Sequence, residues 1–277
     1  MNSELTKRRE QCSEILGFDL ADVQQGSEKW FISRAGVVTA SKAYILLMED
    51  ALAPFPKDLK IEQIKRGVNS VWLNGENYQG TKADCILWVR EKLPRIKSDT
   101  KLAYLDELVG QIATGLIPEE IKAKPLQWGK DHEGDARDAY SAATFESVEE
   151  EAFIYQDASM RAGISPDGLN TSEDKGLELK CPWSSKVWCA FAGRGEIKKE
   201  EVAQVQFSLM ITGFKSWGFA KYDPRNVNCK KLHHVLIERD EDMIAKMRKG
   251  LAEFIEDMDE ALNNLGLKWG DQWAVKN

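Results

Sequence analysis

Three side chains in the middle of the chain have the types and spacing to do chemistry together: Asp167, Glu178 and Lys180. Ser165-Pro166-Asp167-Gly168 puts proline second and glycine fourth, the arrangement a type I turn favours. Further on, Leu177-Glu178-Leu179-Lys180 alternates apolar and charged residues, so on a strand Glu178 and Lys180 share one face and the two leucines the other. Taken singly, the first is an ordinary turn and the second a solvated strand edge. Together they imply more, because a hairpin running from Asp167 through Asn170 to Lys175 would return the chain and bring Glu178 beside Asp167. Two carboxylates then converge with one ammonium group. Such oxygen ligands suit Mg²⁺, or Mn²⁺ in its place, ions that keep several waters and accept a substrate phosphate as the remaining ligand. The matching substrate is a phosphodiester. In its hydrolysis a metal lowers the pKa of a bound water, and a second ion about 3.5–4 Å away stabilises the leaving oxygen. Lys180 would orient the attacking water or help deprotonate it, and its charge would help hold the anionic transition state.

The elements that must carry these residues can be read from periodicity. Pro125 can open a helix over about 126–144, where Ala136, Ala139 and Tyr140 share a face and Glu133 lies near the middle. Strands are expected at 152–155, 160–165 and 176–180, a helix over roughly 201–212, and further strands at 216–222 and 233–238. From Leu251 onward, Phe254, Ile255, Met258 and Leu262 recur at helical spacing until Gly266 stops the run. This order predicts an α/β fold with a central mixed sheet flanked by helices. Residues 49–125 read differently, with Pro54, Pro56 and Pro94 interrupting short segments such as Asp84 to Leu93. The expectation is a single domain over 1–277 that carries a mostly helical insertion at about 49–125.

Composition narrows the function classes. The chain has 277 residues, 38 Lys and Arg against 45 Asp and Glu, and an apolar share of 43%, which excludes intrinsic disorder and a disulfide-built miniprotein. No apolar run approaches the roughly 18 residues that suggest a membrane span, and Met1 to Gln11 is charged instead of greasy, so a cytoplasmic protein without a membrane is expected. The five cysteines contain no C-x-x-C pair. A net charge of −7 argues against coating DNA by bulk attraction, but charge is uneven: residues 57–101 hold 10 bases against 6 acids, and residues 131–178 hold 13 acids against 3 bases. One region can gather cations while another meets something anionic.

The acid followed by Glu-x-Lys resembles the PD-(D/E)XK nucleases, and the flanks resemble the lambda exonuclease and YqaJ viral recombinase family within them. Seven blocks carry the likeness in order: WFISRAGVVTAS from Trp30 to Ser41, QWGKDHEGDA from Gln127 to Ala136, SPDGL from Ser165, GLELKCP from Gly176, AQVQFS from Ala203, YDPR from Tyr222 and the tail around Phe254 to Trp273. Residues 49–125 stand outside it. The resemblance implies a restriction-endonuclease-like core in which Asp167, Glu178 and the backbone carbonyl of Leu179 ligate metal. It makes Lys180 the catalytic lysine, adds Glu133 to the acidic cluster and has Gln204 line the site. Arg34 and Ser41 match the positions that hold the 5′-phosphate of a DNA end, and a guanidinium fork and a hydroxyl are good phosphate donors.

What the family implies further is a Mg²⁺-dependent exonuclease, with Mn²⁺ as substitute and two ions per site, digesting the 5′-ended strand of linear duplex DNA to mononucleotides and leaving 3′ overhangs. It also implies a homotrimeric ring around the DNA, a single-strand annealing protein as partner, and phage or prophage origin in a bacterial cytoplasm. The alternatives are a structure-specific endonuclease on the same fold and an inactive DNA-binding subunit. His132, His233 and His234 lack paired metal-ligand spacing and read as structural, as do most of the nine tryptophans, Trp128 and Trp217 included. Cys181 and Cys189 are too scattered for an iron-sulfur cluster. Lys82 to Lys101, with Trp88 inside it, reads either as an added DNA contact or as a subunit surface.

Overall fold

The computed structural model describes residues 3–116 and 123–274. Two compact units emerge, one from the described residues of Met1–Leu47 and Tyr104–Asn277, the other Met48–Ala103.

In the first unit, the strands Leu232–Glu238, Ser216–Tyr222, Lys175–Lys180 and Gly168–Asn170 form a four-stranded sheet in that order. Only the central pair is parallel, with Lys175 opposite Ser216 and Lys180 opposite Lys221. A parallel pair needs a crossover, supplied here by the helices Ser185–Arg194 and Lys199–Thr212. Ser216–Tyr222 is buried along its whole length, as its nearly continuous apolar sequence anticipates, whereas Leu232–Glu238 alternates toward solvent at the sheet edge. The helix Lys124–Thr144 opens with proline in its first turn and packs Ala136 and Tyr140 onto Leu177, Leu179, Ala220 and Tyr222. This covers the leucine face of the Lys175–Lys180 strand, so Glu178 and Lys180 face the other way.

A second, three-stranded sheet joins Val38–Thr39, Ala162–Ile164 and Ile154–Tyr155. Its core gathers Cys12, Trp30, Phe153 and Tyr155, with Trp269 and Trp273 from the C-terminal region packed against it. The last long helix, Glu241–Asn264, buries Ile244, Met247, Leu251, Phe254, Met258 and Leu262 along one stripe. It starts well before Leu251 because Asp240 caps it, accepting the Met243 N–H at 2.9 Å. Apolar periodicity alone misses this charged first stretch.

The second unit corrects the expectation of a mostly helical insertion at 49–125. Ile61–Lys65, Val68–Leu73 and Glu76–Gly80 make an antiparallel three-stranded sheet, and Ala51–Leu52 pairs with Arg95–Ile96. The reason lies in two tight turns: Gly67 has φ 77°, and Asn74-Gly75 has φ 50° and 83°, the backbone that a two-residue hairpin turn requires. The one helix wholly inside the unit, Lys82–Lys92, carries a Thr81/Asp84 capping box and covers the sheet with Cys85 and Val89 against Val71. The unit ends at Ala103, so the expected boundary at 125 is also moved; the helix Asp99–Thr114 runs on into the first unit, and residues 117–122 lie outside the described ones.

Gly176 sits where the reactive strand passes the Trp217 ring, and a Cβ there would lie 2.3 Å from ring atoms. Gly176→Ala should force the strand or the indole to shift and cost about 1–3 kcal/mol. Urea unfolding measures this, and an unchanged midpoint would show that the close packing of strand and indole is not needed.

Candidate active site

The hairpin that spacing anticipates is formed. Asn170 pairs with Lys175, Leu169 with Gly176 and Gly168 with Leu177, and the ladder continues one step as the Asp167 N–H donates to the Leu177 carbonyl at 3.2 Å. Asp167 therefore stands next to Glu178. Its Oδ2 accepts the Leu179 N–H at 2.6 Å, which fixes the carboxylate against the strand. Glu178 is buried, and its Oε1 accepts from Lys180 Nζ at 2.5 Å and from Gln204 Nε2 at 2.6 Å. Lys180 also donates to Gln204 Oε1 at 3.3 Å. Asp167, Glu178, Lys180 and Gln204 thus form one connected group.

Glu133 comes into electrostatic range of Glu178 and Lys180 but makes its hydrogen bond elsewhere, accepting from Arg137 Nη2 at 3.0 Å one helical turn on. Arg137 also donates to the Asp167 backbone carbonyl at 2.8 Å and pairs with Glu150, so it ties the helix to the turn that carries the aspartate.

The electrostatics follow from burial. Asp167 is pushed well above the ordinary carboxylate range, first by desolvation and then by the neighbouring Glu178 charge, against the pull of Lys180. Burial also raises Glu133, with Arg137 opposing. For Lys180, burial favours the neutral amine, but the charges of Glu178 and Asp167 outweigh it and raise its pKa, so it remains an ammonium. Cys181, beside the site, is pushed up to about 12 by burial and by Glu133 and Asp167, and stays an unreactive thiol. Two carboxylates face one ammonium, so ionising both would leave the group one negative charge in excess. A divalent cation would correct that imbalance, and each carboxylate keeps a second oxygen for it. Among the described residues no three His, Cys, Asp or Glu side chains cluster as a ready-made cage. The donor set therefore fits an ion such as Mg²⁺, which takes one or two carboxylates and fills its shell with water and phosphate, better than an ion needing an all-protein cage.

Arg34 and Ser41 line one cavity of about 380 Å³ together with Thr39, Lys42 and Tyr104. The Arg34 guanidinium lies 4.0 Å from the centre of the Trp30 ring, and Tyr104 Oη accepts the Thr39 N–H at 3.2 Å. Trp30 Nε1 in turn donates to Ser165 Oγ at 2.9 Å, two residues before Asp167. The cavity and the acidic group are joined through that turn.

The family model for the YqaJ-like viral recombinase domain matches residues 89–215, the span that holds Glu133, Asp167, Glu178, Lys180 and Gln204. Over 77 residues, 28% of this chain and 87% of the relative, the sequence is 47% identical to ExoD of Escherichia coli (strain K12). The chain belongs to the YqaJ-like viral recombinase family. An alkaline exonuclease from Laribacter hongkongensis is 24% identical, with a TM-score of 0.63 over 87% of this chain and 96% of that one. The same enzyme in complex with dAMP gives a TM-score of 0.64 at 24% identity, over 86% of this chain and 96% of that one. The YqaJ-like protein shares their restriction-endonuclease-like fold.

Four supporting residues of this YqaJ-like site escape sequence reasoning: Arg137, Tyr104, Glu201 and Lys221. The last two form a buried pair at 2.9 Å, with Lys221 1% and Glu201 13% exposed. Lys221 stands opposite Lys180 on the adjacent strand, and Glu201 lies one turn before Gln204, so the pair pins the helix that delivers Gln204. The only signal in the sequence is a charge inside the otherwise apolar run Trp217 to Tyr222. Lys221→Met should strand Glu201 in the interior and cost about 3–5 kcal/mol of stability. Adding Glu201→Gln, which keeps an oxygen for the Lys198 N–H, should recover part of it. Denaturant unfolding decides: a Lys221→Met protein as stable as the parent would leave the pair without a structural role.

Proposed function

We propose that this protein is a Mg²⁺-dependent exonuclease that loads on the ends of linear double-stranded DNA, digests the 5′-ended strand in the 5′-to-3′ direction to mononucleotides and leaves 3′ overhangs. Membership of the family and the restriction-endonuclease-like fold support a nuclease acting on DNA. The observation that carries the reading is the hydrogen-bonded meeting of Asp167, Glu178 and Lys180 on one hairpin with Gln204 from the Lys199–Thr212 helix.

Asp167, Glu178 and the Leu179 carbonyl would hold the cation, one ion or two, and Mn²⁺ would substitute for it. When bound, such an ion supplies Lewis acidity, activating water and neutralising phosphate charge. Lys180 is an ammonium and so donates: it orients the attacking water and binds a non-bridging phosphate oxygen as charge builds there. Gln204 bonds both Glu178 and Lys180 and sets their relative orientation. Glu133 would complete the acidic cluster, adding negative charge within electrostatic range of Glu178 and Lys180. The cavity of Arg34 and Ser41, with Lys42 and Thr39, would take the 5′-phosphate. In the Laribacter hongkongensis enzyme the bound ligand is dAMP, a product of the kind this reaction would release.

A protein of net charge −7 gains nothing from bulk attraction to DNA. A homotrimeric ring with a positive channel would solve that problem by encircling the duplex, and a single-strand annealing protein would take over the overhang. Among the described residues no helix is long and apolar enough to cross a membrane. The setting proposed for this work is a bacterial cytoplasm under a phage or prophage programme.

The test is to incubate end-labelled linear duplex and covalently closed circular DNA with Mg²⁺ or with chelator. The expected result is Mg²⁺-dependent release of mononucleotides from the 5′ end of linear DNA, with circles untouched. Lys180→Ala should reduce the rate by a factor on the order of 10³ while duplex binding stays within a few-fold. Nicked circles would point to an endonuclease, and undiminished digestion by Lys180→Ala would remove the lysine from the chemistry.

A further inference from the structure

We propose that Trp183 is a stacking platform for an unpaired nucleobase of the strand being cut, an inference that rests on the nuclease reading above. Trp183 follows the reactive strand by three residues and is 48% exposed, a large indole left open beside a buried ionic site. Its backbone is nevertheless held firmly. Arg225 donates from Nη1 to the Trp183 carbonyl at 3.0 Å and from Nη2 to the Pro182 carbonyl at 3.2 Å. The same guanidinium is clamped by Asp223, which is fully buried, at 2.8 and 2.9 Å, and Ser185 Oγ donates to that carboxylate at 2.7 Å.

The ring is braced as well. Trp128 meets Trp183 edge-on, with centroids 5.6 Å apart and planes at 86°, while Arg225 covers Trp128 at 4.6 Å. Trp128 also contacts His132, the neighbour of Glu133, at 4.1 Å. In an edge-on pair the rim of one ring meets one face of the other, so Trp128 fixes the tilt of the Trp183 indole and covers at most one of its two faces. The Lys124–Thr144 helix, through Trp128, and the turn after the Ser216–Tyr222 strand, through Arg225, thus hold one exposed residue in place.

The chemistry of that ring selects its ligand. A rigid, exposed indole next to a site for phosphodiesters fits the π-face of a base, and stacking of this kind tolerates any sequence, as an enzyme that travels along DNA requires. Bases within a duplex have both faces covered by their neighbours. Only a terminal or unpaired base offers a free one, so Trp183 would hold the base next to the scissile phosphate once it has left the duplex.

The experiment measures equilibrium binding, in chelator, of the full-length protein to 5′-phosphorylated duplexes, each with one abasic site at a successive position from the 5′ end. Trp183→Ala should bind the intact duplex on the order of tenfold more weakly, and Trp183→Phe should stay close to the parent. At one position the abasic site should weaken the parent protein by a similar factor and leave Trp183→Ala unaffected, since the stacking partner is already lost. Equal sensitivity of parent and Trp183→Ala at every position, or a Trp183→Ala protein that binds as the parent does, would overturn the platform while leaving the nuclease reading intact. A parent protein that neither binds nor digests duplex DNA would overturn both.

Discussion

Two carboxylates and one ammonium are crowded together around the buried Glu178, and the arrangement of the first unit follows from keeping them there. Like charges about 4 Å apart repel by roughly 4 kcal/mol at an effective dielectric constant near 20, so Asp167 and Glu178 could not both ionise without compensation. Lys180 compensates for one of them. The remaining imbalance is visible in the raised proton affinity of Asp167, which burial and Glu178 impose together.

Geometry, more than charge, keeps the group from relaxing. The hairpin register sets Asp167 against Glu178, the Leu179 N–H holds one aspartate oxygen, and Arg137 holds its carbonyl. From the other face, the helix carrying Gln204 is pinned by the buried Glu201–Lys221 pair. The Ser165–Asp167 turn is common to two places, since Trp30 grips Ser165 while stacking on Arg34. A shift in that turn would therefore reach both the acidic group and the cavity lined by Arg34 and Ser41.

The reactive hairpin was legible because its chemistry is local: a turn, a return strand and a period of two put Asp167, Glu178 and Lys180 within a span of fourteen residues. Ser216–Tyr222 was legible for a similar reason, a short apolar run that only a central strand can accommodate. Glu133 and Gln204 came from family resemblance, because nothing in a helix sequence says which strand its polar residue will meet. Lys221 and Glu201 were hidden because burying a charge goes against composition and is tolerated only through a partner twenty residues away. The Asn74-Gly75 hairpin has a local signal, two positive-φ residues between short strands, but the prolines and basic charges around it mask the period of two. Trp183 was not separable from the other tryptophans until exposure distinguished it from the buried Trp217.

The central claim is that this acidic group binds a divalent metal, and diffraction can test it directly. Crystals grown with Mn²⁺ and measured at the manganese absorption edge should show anomalous density within bonding distance of the Asp167 and Glu178 carboxylates. Density confined to other sites, with Asp167 and Glu178 bonded only to Leu179, Lys180 and Gln204, would contradict it.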